Sequence, residues 1–575
     1  MRRFEETKEH VKYIIIGAVA GGASTAARLR RLDEHAEIVI FEKGQYISYA
    51  NCGLPYYIGN VIKDRNKLFV QTATSFARRF NVDVRISTEV MAINRSEKTV
   101  RAVDLQSGEE YNESYDKLVL SPGAYPIRPS LPGINEAGIF TVRNVSDTDF
   151  IKEYIAENNL RKAVIIGAGF IGLEMAENLH ELGLEVSVVE MSKQILAPVD
   201  LPIAAIAQKH LREKGIQLYL NNAVKGFDKQ GEQLKVQLQG DVFLDADVVI
   251  LSIGVKPDIR LAEDAGLKIG QANGIWVNEY LQSSDPDIYA VGDAIEYPSP
   301  ISGLPALTFL AGPANKQGRI CANNLVLGNR QQYTGSVNTA IVKLFDLSIG
   351  AAGMAVKQLE RNGISYLTAT IHGNSHAGYY PGAQLMTIQV AFSPEGGELL
   401  GAQVIGGEGV DKRLDLLSSV IKNRGTVHDL TELEHAYAPP FSSAKDPVNM
   451  AGFVAENILF DRLKVIDCSK LAEVGHEAIL VDVRTSAEFE SGTIEGAVNI
   501  PLDEIRERLS EIPSDKAIYI FCQQGMRGYL AQRILVQRGF NDVTNLSGGY
   551  LLWKAYTDEF GLNDRYLQPV KLTCG

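Results

Sequence analysis

Two cysteines sit in settings that suit sulfur chemistry, and they differ in kind. Cys52 lies in the string Tyr46-Ile-Ser48-Tyr-Ala-Asn51-Cys52-Gly53-Leu-Pro55. A dithiol centre would place a second cysteine five positions away, but positions 47 and 57 are Ile and Tyr. Oxidised Cys52 is therefore expected as a sulfenate or as a mixed disulfide with a small thiol. A helix N-terminus at this point would lower its pKa and favour the thiolate. Cys522 opens the loop Cys522-Gln-Gln-Gly525-Met-Arg527. Successive N–H groups turned into such a loop form an anion nest, which stabilises a thiolate or the terminal sulfur of a persulfide. Cys321 and Cys468 read as packing residues, and Cys574 as an exposed, adventitious thiol.

Two similar segments frame this chemistry. One runs from Val11 through Gly17, Gly21 and Gly22 to Glu37-Ile-Val-Ile-Phe-Glu42; the other runs from Lys162 through Gly167, Gly169 and Gly172 to Leu184-Glu-Val-Ser-Val-Val-Glu190. Each reads as an apolar strand, a glycine turn, an amphipathic helix and a second strand closed by a carboxylate, the βαβ unit that binds a dinucleotide. The first glycine allows the sharp turn and the last allows close helix–strand packing, so the helix N-terminus meets the pyrophosphate. The carboxylate accepts from the ribose hydroxyls. In the first copy Val19 stands where the middle glycine would be. A third strand, ending Tyr-Ala-Val-Gly292-Asp293, places an Asp where it can accept from a polyol.

With 575 residues the chain holds about three to four domains. A net charge of −13 argues against a general nucleic-acid binder, which needs a basic face. The apolar runs at 13–23 and 163–173 are broken by glycine and stop short of a membrane span. The first residues carry charges of both signs and no apolar core of a signal peptide. Five cysteines scattered over this length do not read as a disulfide framework, and no Cys/His spacing reads as a metal site. A cytoplasmic protein that meets neither membrane nor nucleic acid is expected.

From these motifs, residues 11 to about 450 resemble the flavoprotein disulfide reductases that bind two dinucleotides, and the string around Cys52 resembles their single-cysteine, coenzyme A-disulfide reductase group. The last part is similar to a rhodanese domain: Ile479-Leu-Val-Asp482-Val-Arg484, Gly492-Thr-Ile-Glu-Gly496, the Cys522 loop and Leu546-Ser-Gly-Gly549 follow in order. The resemblance implies an α/β fold with two Rossmann-like domains, an α+β dimerisation domain and a C-terminal rhodanese-like α/β domain. It places an N-terminal extension at 1–10, an FAD-binding domain at 11–122 and 282–335, and a nested NAD(P)H-binding domain at 123–281. A dimerisation domain follows at 336–455, a linker at 456–465, the rhodanese domain at 466–560 and a tail at 561–575.

The same resemblance implies site residues. Gly17, Gly21, Gly22, Glu42, Lys43, Val90, Gly123, Gly292, Asp293 and Pro313 fall to FAD, and Gly167, Gly169, Gly172, Glu190 and Gly254 to NADH, with NADPH as an alternative donor. Ser24, Arg28, Arg31, Ser48, Asn51 and Lys445 fall on coenzyme A positions, where Arg and Lys suit the phosphates. Tyr379 and Tyr437 match two tyrosines that a partner subunit aims at the active-site sulfur of a homodimer. With Cys52, Cys522 and Arg527 they make up the expected catalytic set. His376 is expected as a satisfied loop histidine. The implied activity is NADH-dependent reduction of CoA disulfide, CoA persulfide or polysulfide at Cys52, with the rhodanese domain handling sulfane sulfur. The alternatives are an NADH oxidase or peroxidase working through a Cys52 sulfenate, and a non-catalytic protein that senses sulfur or redox state.

Overall fold

The structure, a computed structural model, describes residues 10–231, 233–474 and 478–561; Cys574, with nearly all of the expected N-terminal extension and C-terminal tail, lies outside them. The chain forms two compact units, one from residues up to Val189 with Ala223–Asn338, the other from Glu190–Asn222 with the residues from Thr339 onward.

In the first unit, Lys12–Ile16 lies at the centre of a five-stranded parallel sheet in the order Ile288–Ala290, Lys117–Leu120, Lys12–Ile16, Glu37–Phe41, Asp83–Arg85. Tyr13 to Ile16 are buried, as a strand covered on both faces requires. The helices Gly21–Leu32 and Ala311–Leu327 pack on each other, and Cys321 is buried in this core, as expected of a packing residue. The second glycine turn lies in another parallel arrangement, where Lys162–Ile166 is flanked by Glu185–Val189 and Val248–Leu251. The strands Ala124–Pro126 and Val255–Pro257, on the two crossovers read from the sequence, pair antiparallel with each other.

In the second unit, Ala340–Leu344, Leu347–Gly353, Leu399–Gly406, Leu385–Phe392 and Leu367–Asn374 form an antiparallel sheet in that order. The helix Pro447–Leu459 continues into the stretch expected as a linker, so residues 460–464 connect it to the strand Val465–Ile466. That strand opens a parallel sheet ordered Val465–Ile466, Val543–Leu546, Ile518–Phe521, Ile479–Asp482, Val498–Asn499. Cys468 is buried in its core with Phe521 and Trp553. The helix Leu201–Glu213 lies against the helix Gly549–Phe560, with Ile206 packed on that core and Gln208 and Arg212 both donating to the Glu559 carboxylate.

Candidate functional site

A cavity of about 610 Å³ opens at the carboxyl ends of the first parallel sheet, the usual ligand position in such sheets. Gly17, Gly21, Glu42, Lys43, Val90, Gly123, Gly292 and Asp293 line it. The turn depends on glycine: Gly17 has φ +96°, and a Cβ on Gly22 would lie 1.8 Å from the Gly17 carbonyl oxygen. Gly22 therefore stands behind the wall and lets the helix approach it. Pro313 is in the first turn of the helix whose Ala314 reaches the cavity. The Ala18 and Gly44 N–H groups donate to the Glu42 carboxylate at 2.9 and 2.8 Å. Burial raises the pKa of both Glu42 and Asp293, while the Arg143 guanidinium opposes the rise. Lys43 pairs with Glu89 at 2.7 Å. Open glycine backbone, a helix N-terminus and two carboxylates at strand ends fit a dinucleotide that carries a polyol chain.

The second glycine turn repeats the geometry. Gly167 has φ +102°, a Cβ on Gly172 would lie 2.1 Å from the Gly167 oxygen, and Gly169 caps the helix Phe170–Glu181. Gly254, at φ +110°, begins the return crossover, where its carbonyl accepts from Ile127 N–H at 2.9 Å. Glu190 follows the strand Glu185–Val189 directly, and its carboxylate accepts from the Ser192 N–H and hydroxyl, both at 2.8 Å.

Cys52 is exposed, in the single turn Asn51–Gly53 that leads into the helix Leu54–Ile58. Partial enclosure nevertheless raises its pKa, helped by the Glu174 and Asp293 carboxylates, and its own backbone N–H opposes the rise only weakly. The expected lowering by the helix start is thus outweighed by this enclosure first, and then by two acids brought in from other elements. Burial pushes Glu174 up to about 7, with the Tyr56 hydroxyl donating to it at 3.2 Å. Asn51, with its amide oxygen turned toward Arg143, bonds the Arg143 carbonyl and guanidinium at 3.1 and 3.2 Å.

The expected coenzyme A residues of this unit gather along one helix and its neighbours. The Ser24 hydroxyl meets Asn315, Arg28 donates to Asn323 at 2.8 Å, and Arg31 to the Ala27 carbonyl at 2.9 Å. Slight burial and the like charges of Arg319 and Arg31 lower the Arg28 pKa, the signature of cations gathered together. Ser48 holds a positive φ of 45° and donates its N–H to the Ala18 carbonyl at 2.9 Å. Arg319, Arg143, Glu174 and Tyr56 were not singled out in the sequence. Glu174 alone carried a signal, an acid two residues past the last glycine of its turn.

In the second unit the Tyr379 and Tyr437 hydroxyls meet at 3.0 Å, and both side chains are well exposed. The bond to Tyr437 raises the Tyr379 pKa, so that phenol holds its proton more strongly. Lys445 is exposed beside Asp446, which is buried against Arg413 at 2.8 Å. His376 is buried between the Ser375 hydroxyl and the Pro381 carbonyl, at 3.1 and 3.2 Å, as a satisfied loop histidine.

The Cys522 loop aims a backbone N–H at its own buried sulfur. Gly525 has φ +110°, and its N–H donates to the Cys522 sulfur at 3.1 Å. Arg527 forks onto Glu488 at 2.7 and 2.6 Å while its charge also faces the Cys522 sulfur. That fork lowers the Glu488 pKa to about 2. Arg484 and Asp482 form a buried pair at 2.6 Å. Among the described residues, no three His, Cys, Asp or Glu side chains gather as a metal site requires, and no helix is long and apolar enough to cross a membrane.

Comparison with known proteins agrees with this geometry. Residues 11–311 match the family described as pyridine nucleotide-disulphide oxidoreductase, 339–447 the dimerisation domain of that family, and 467–556 the rhodanese-like domain. The coenzyme A disulfide reductase of Staphylococcus haemolyticus (strain JCSC1435) is 36% identical over 452 residues, 78% of this chain and 100% of that protein. The crystal structure of reduced Bacillus anthracis CoADR-RHD superposes with a TM-score of 0.94 at 47% identity, covering 96% of this chain and 99% of that one. The NAD-dependent persulfide reductase from A. fulgidus gives 0.89 at 36% identity, over 94% and 100% of the two chains. The chain therefore belongs to the pyridine nucleotide-disulphide oxidoreductases, among the relatives of coenzyme A disulfide reductase, and carries a rhodanese-like domain at its C-terminal end.

Proposed function

We propose that this enzyme reduces the sulfur–sulfur bond of a coenzyme A disulfide or persulfide at Cys52 with electrons from NADH, and that its rhodanese-like domain moves sulfane sulfur through Cys522. The observation that carries the reading is a single exposed cysteine beside a glycine-walled dinucleotide cavity, in a chain whose other described cysteines are all buried, Cys321 and Cys468 as packing residues and Cys522 at the start of its loop.

FAD bound in this cavity would supply the relay of two electrons from NADH to sulfur. The Gly17–Gly22 turn offers N–H groups to its diphosphate, Glu42 accepts from the ribose of its adenosine, and Asp293 accepts from its ribityl chain. Lys43, Val90, Gly123, Gly292 and Pro313 complete the cradle, and Gly167, Gly169, Gly172 and Gly254 do the same for the nicotinamide dinucleotide. The Cys52 thiolate attacks the substrate sulfur, the sulfur–sulfur bond breaks, and either coenzyme A thiolate or hydrosulfide leaves. The resulting disulfide on Cys52 takes up two electrons and opens, restoring the thiolate. Tyr379 and Tyr437 of a partner subunit supply the proton to the departing thiolate; each is a phenol already hydrogen-bonded to another. Arg28, Arg31 and Lys445 hold the coenzyme A phosphates, with Ser24, Ser48 and Asn51 beside them. This assignment makes the enzyme a homodimer whose active site is completed across the two-fold. Free cysteines among the described residues suit a reducing, cytoplasmic setting.

At the second site the Cys522 thiolate attacks the outer sulfur of thiosulfate, releases sulfite and becomes a persulfide. A coenzyme A thiolate then accepts the sulfane sulfur, and the CoA persulfide formed is the substrate that Cys52 reduces to coenzyme A and sulfide. The test is NADH consumption with CoA disulfide, CoA persulfide and polysulfide as acceptors, with sulfide measured alongside. Turnover with none of the three, in flavin-loaded protein, overturns the reading.

The donor preference is a separate expectation. Glu190 accepts from a ribose 2′-hydroxyl and repels a 2′-phosphate, although Lys193 nearby softens the discrimination. NADH should surpass NADPH in kcat/KM by about tenfold, the equivalent of ~1.4 kcal/mol. Equal or better efficiency with NADPH contradicts the assignment of Glu190.

A further inference from the structure

The rhodanese loop is strapped to its own domain through the start of the helix Gly549–Phe560. The Tyr550 and Leu551 N–H groups donate to the Cys522 and Gln523 carbonyls at 2.8 and 3.0 Å. Gly548 and Gly549 both have positive φ, 73° and 62°, and a Cβ on Gly549 would lie 2.5 Å from the Cys522 carbonyl oxygen. A Cβ on Gly525, whose N–H reaches the Cys522 sulfur, would lie 4.0 Å from the Gly548 nitrogen. Wherever this glycine pair goes, the backbone carrying the sulfur must follow.

One side chain from outside the rhodanese domain holds the pair. His372, on the strand Leu367–Asn374 of the antiparallel sheet, meets the Gly548 carbonyl through Nε2 at 2.9 Å. A carbonyl only accepts, so Nε2 carries the proton, and the Thr387 hydroxyl then donates to Nδ1, also at 2.9 Å. Burial lowers the His372 pKa to about 4, which keeps the ring neutral near pH 7 in this one tautomer. The imidazole is thus a rigid donor with both nitrogens engaged. A cavity of about 350 Å³ adjoins this contact, lined by His372, Thr387, Gln523 and Tyr550 among others.

We propose that His372 is a positioning residue for the Cys522 loop: through the Gly548 carbonyl, the dimerisation domain sets the geometry at which the rhodanese sulfur reacts. The proposal rests on Cys522 as the sulfur acceptor, and it adds that the fused reductase is part of the sulfurtransferase site's scaffold. A displacement of well under an ångström at Gly548 is felt at Cys522 because the two are joined by close backbone contacts with no flexible side chain between them. Small misplacements of a reacting group are costly in rate.

The experiment uses the full-length flavin-loaded enzyme with His372→Ala, His372→Gln and Thr387→Val. Two activities are measured on each, thiosulfate sulfurtransferase and NADH-dependent CoA disulfide reduction, together with the rate at which Cys522 is alkylated, read from its peptide. His372→Ala should lose about tenfold in sulfurtransferase kcat, with a changed Cys522 alkylation rate and unchanged CoA disulfide reduction. His372→Gln, whose side-chain amide reaches to the Nε2 position, should recover most of that loss. Thr387→Val, which releases Nδ1, should lose less than His372→Ala in the same direction; if the alanine variant fails to fold, this variant decides. Wild-type sulfurtransferase and alkylation rates in the variants overturn the proposal. So does a parallel fall in both activities, which reports damage to the antiparallel sheet, or a glutamine variant no better than alanine. Absence of sulfurtransferase activity in the unmutated enzyme defeats the reading of Cys522 instead, and the alkylation rates still decide whether His372 sets the loop.

Discussion

Cys52→Ser should leave reduction of the flavin by NADH intact and lower reduction of CoA disulfide and CoA persulfide by about three orders of magnitude or more, the scale of losing a covalent nucleophile. Serine keeps the size of the side chain but cannot form a disulfide with substrate sulfur. Among the described residues no neighbouring cysteine can stand in: Cys321 is buried in the core, and the burial pushes its thiol far above the ordinary range. Rapid-mixing absorbance of the flavin separates the two half-reactions. Substantial steady-state disulfide reduction by the serine variant, at unchanged flavin content, means that electrons leave by another route and that the relay through Cys52 is wrong.

The second large effect concerns the other sulfur. In Cys522→Ser, thiosulfate sulfurtransferase activity should fall by about a hundredfold or more, because a hydroxyl cannot carry the persulfide. Reduction of preformed CoA persulfide and CoA disulfide should survive almost unchanged, since that chemistry uses Cys52 and the tyrosine pair. The loop itself should tolerate the change: its backbone is held by the Tyr550 and Leu551 N–H groups, and Glu488 continues to hold Arg527. Assaying one preparation with thiosulfate, CoA persulfide and CoA disulfide gives the comparison. An equal loss of all three activities, with fold and flavin intact, assigns Cys522 to the reductive step itself.

What the sequence made legible is what short-range chemistry dictates. Gly17 and Gly167 must adopt positive φ, and Gly22 and Gly172 must admit a carbonyl within the reach of a Cβ. Only glycine meets either demand, so both dinucleotide turns could be read from spacing. The turn at Cys522 was legible for the same reason: its six residues are consecutive. Long-range electrostatics was not. The neighbourhood of Cys52 suggested a lowered pKa, yet Glu174 arrives from more than a hundred residues away and helps to raise it. Arg319 joins Arg28 and Arg31 because two helices distant in sequence pack together, and nothing local marks it. Tyr379 and Tyr437 could be paired only through the family resemblance, since 58 positions separate the two phenols. The helix Pro447–Leu459 ends where Phe460 leaves helical geometry, with no proline or glycine there that a reader of the sequence would see.

The contact between the helices Leu201–Glu213 and Gly549–Phe560 bears on how firmly the rhodanese-like domain is fixed within its unit. Ile206, Gln208 and Arg212 face a domain whose Glu559 lies about 350 positions further on. An appended domain tethered by a free linker would leave no mark on the chain it joined. Here Ile206 packs on the rhodanese-like core and Gln208 and Arg212 both donate to one carboxylate, so the domain is held by side chains as well as by its linker.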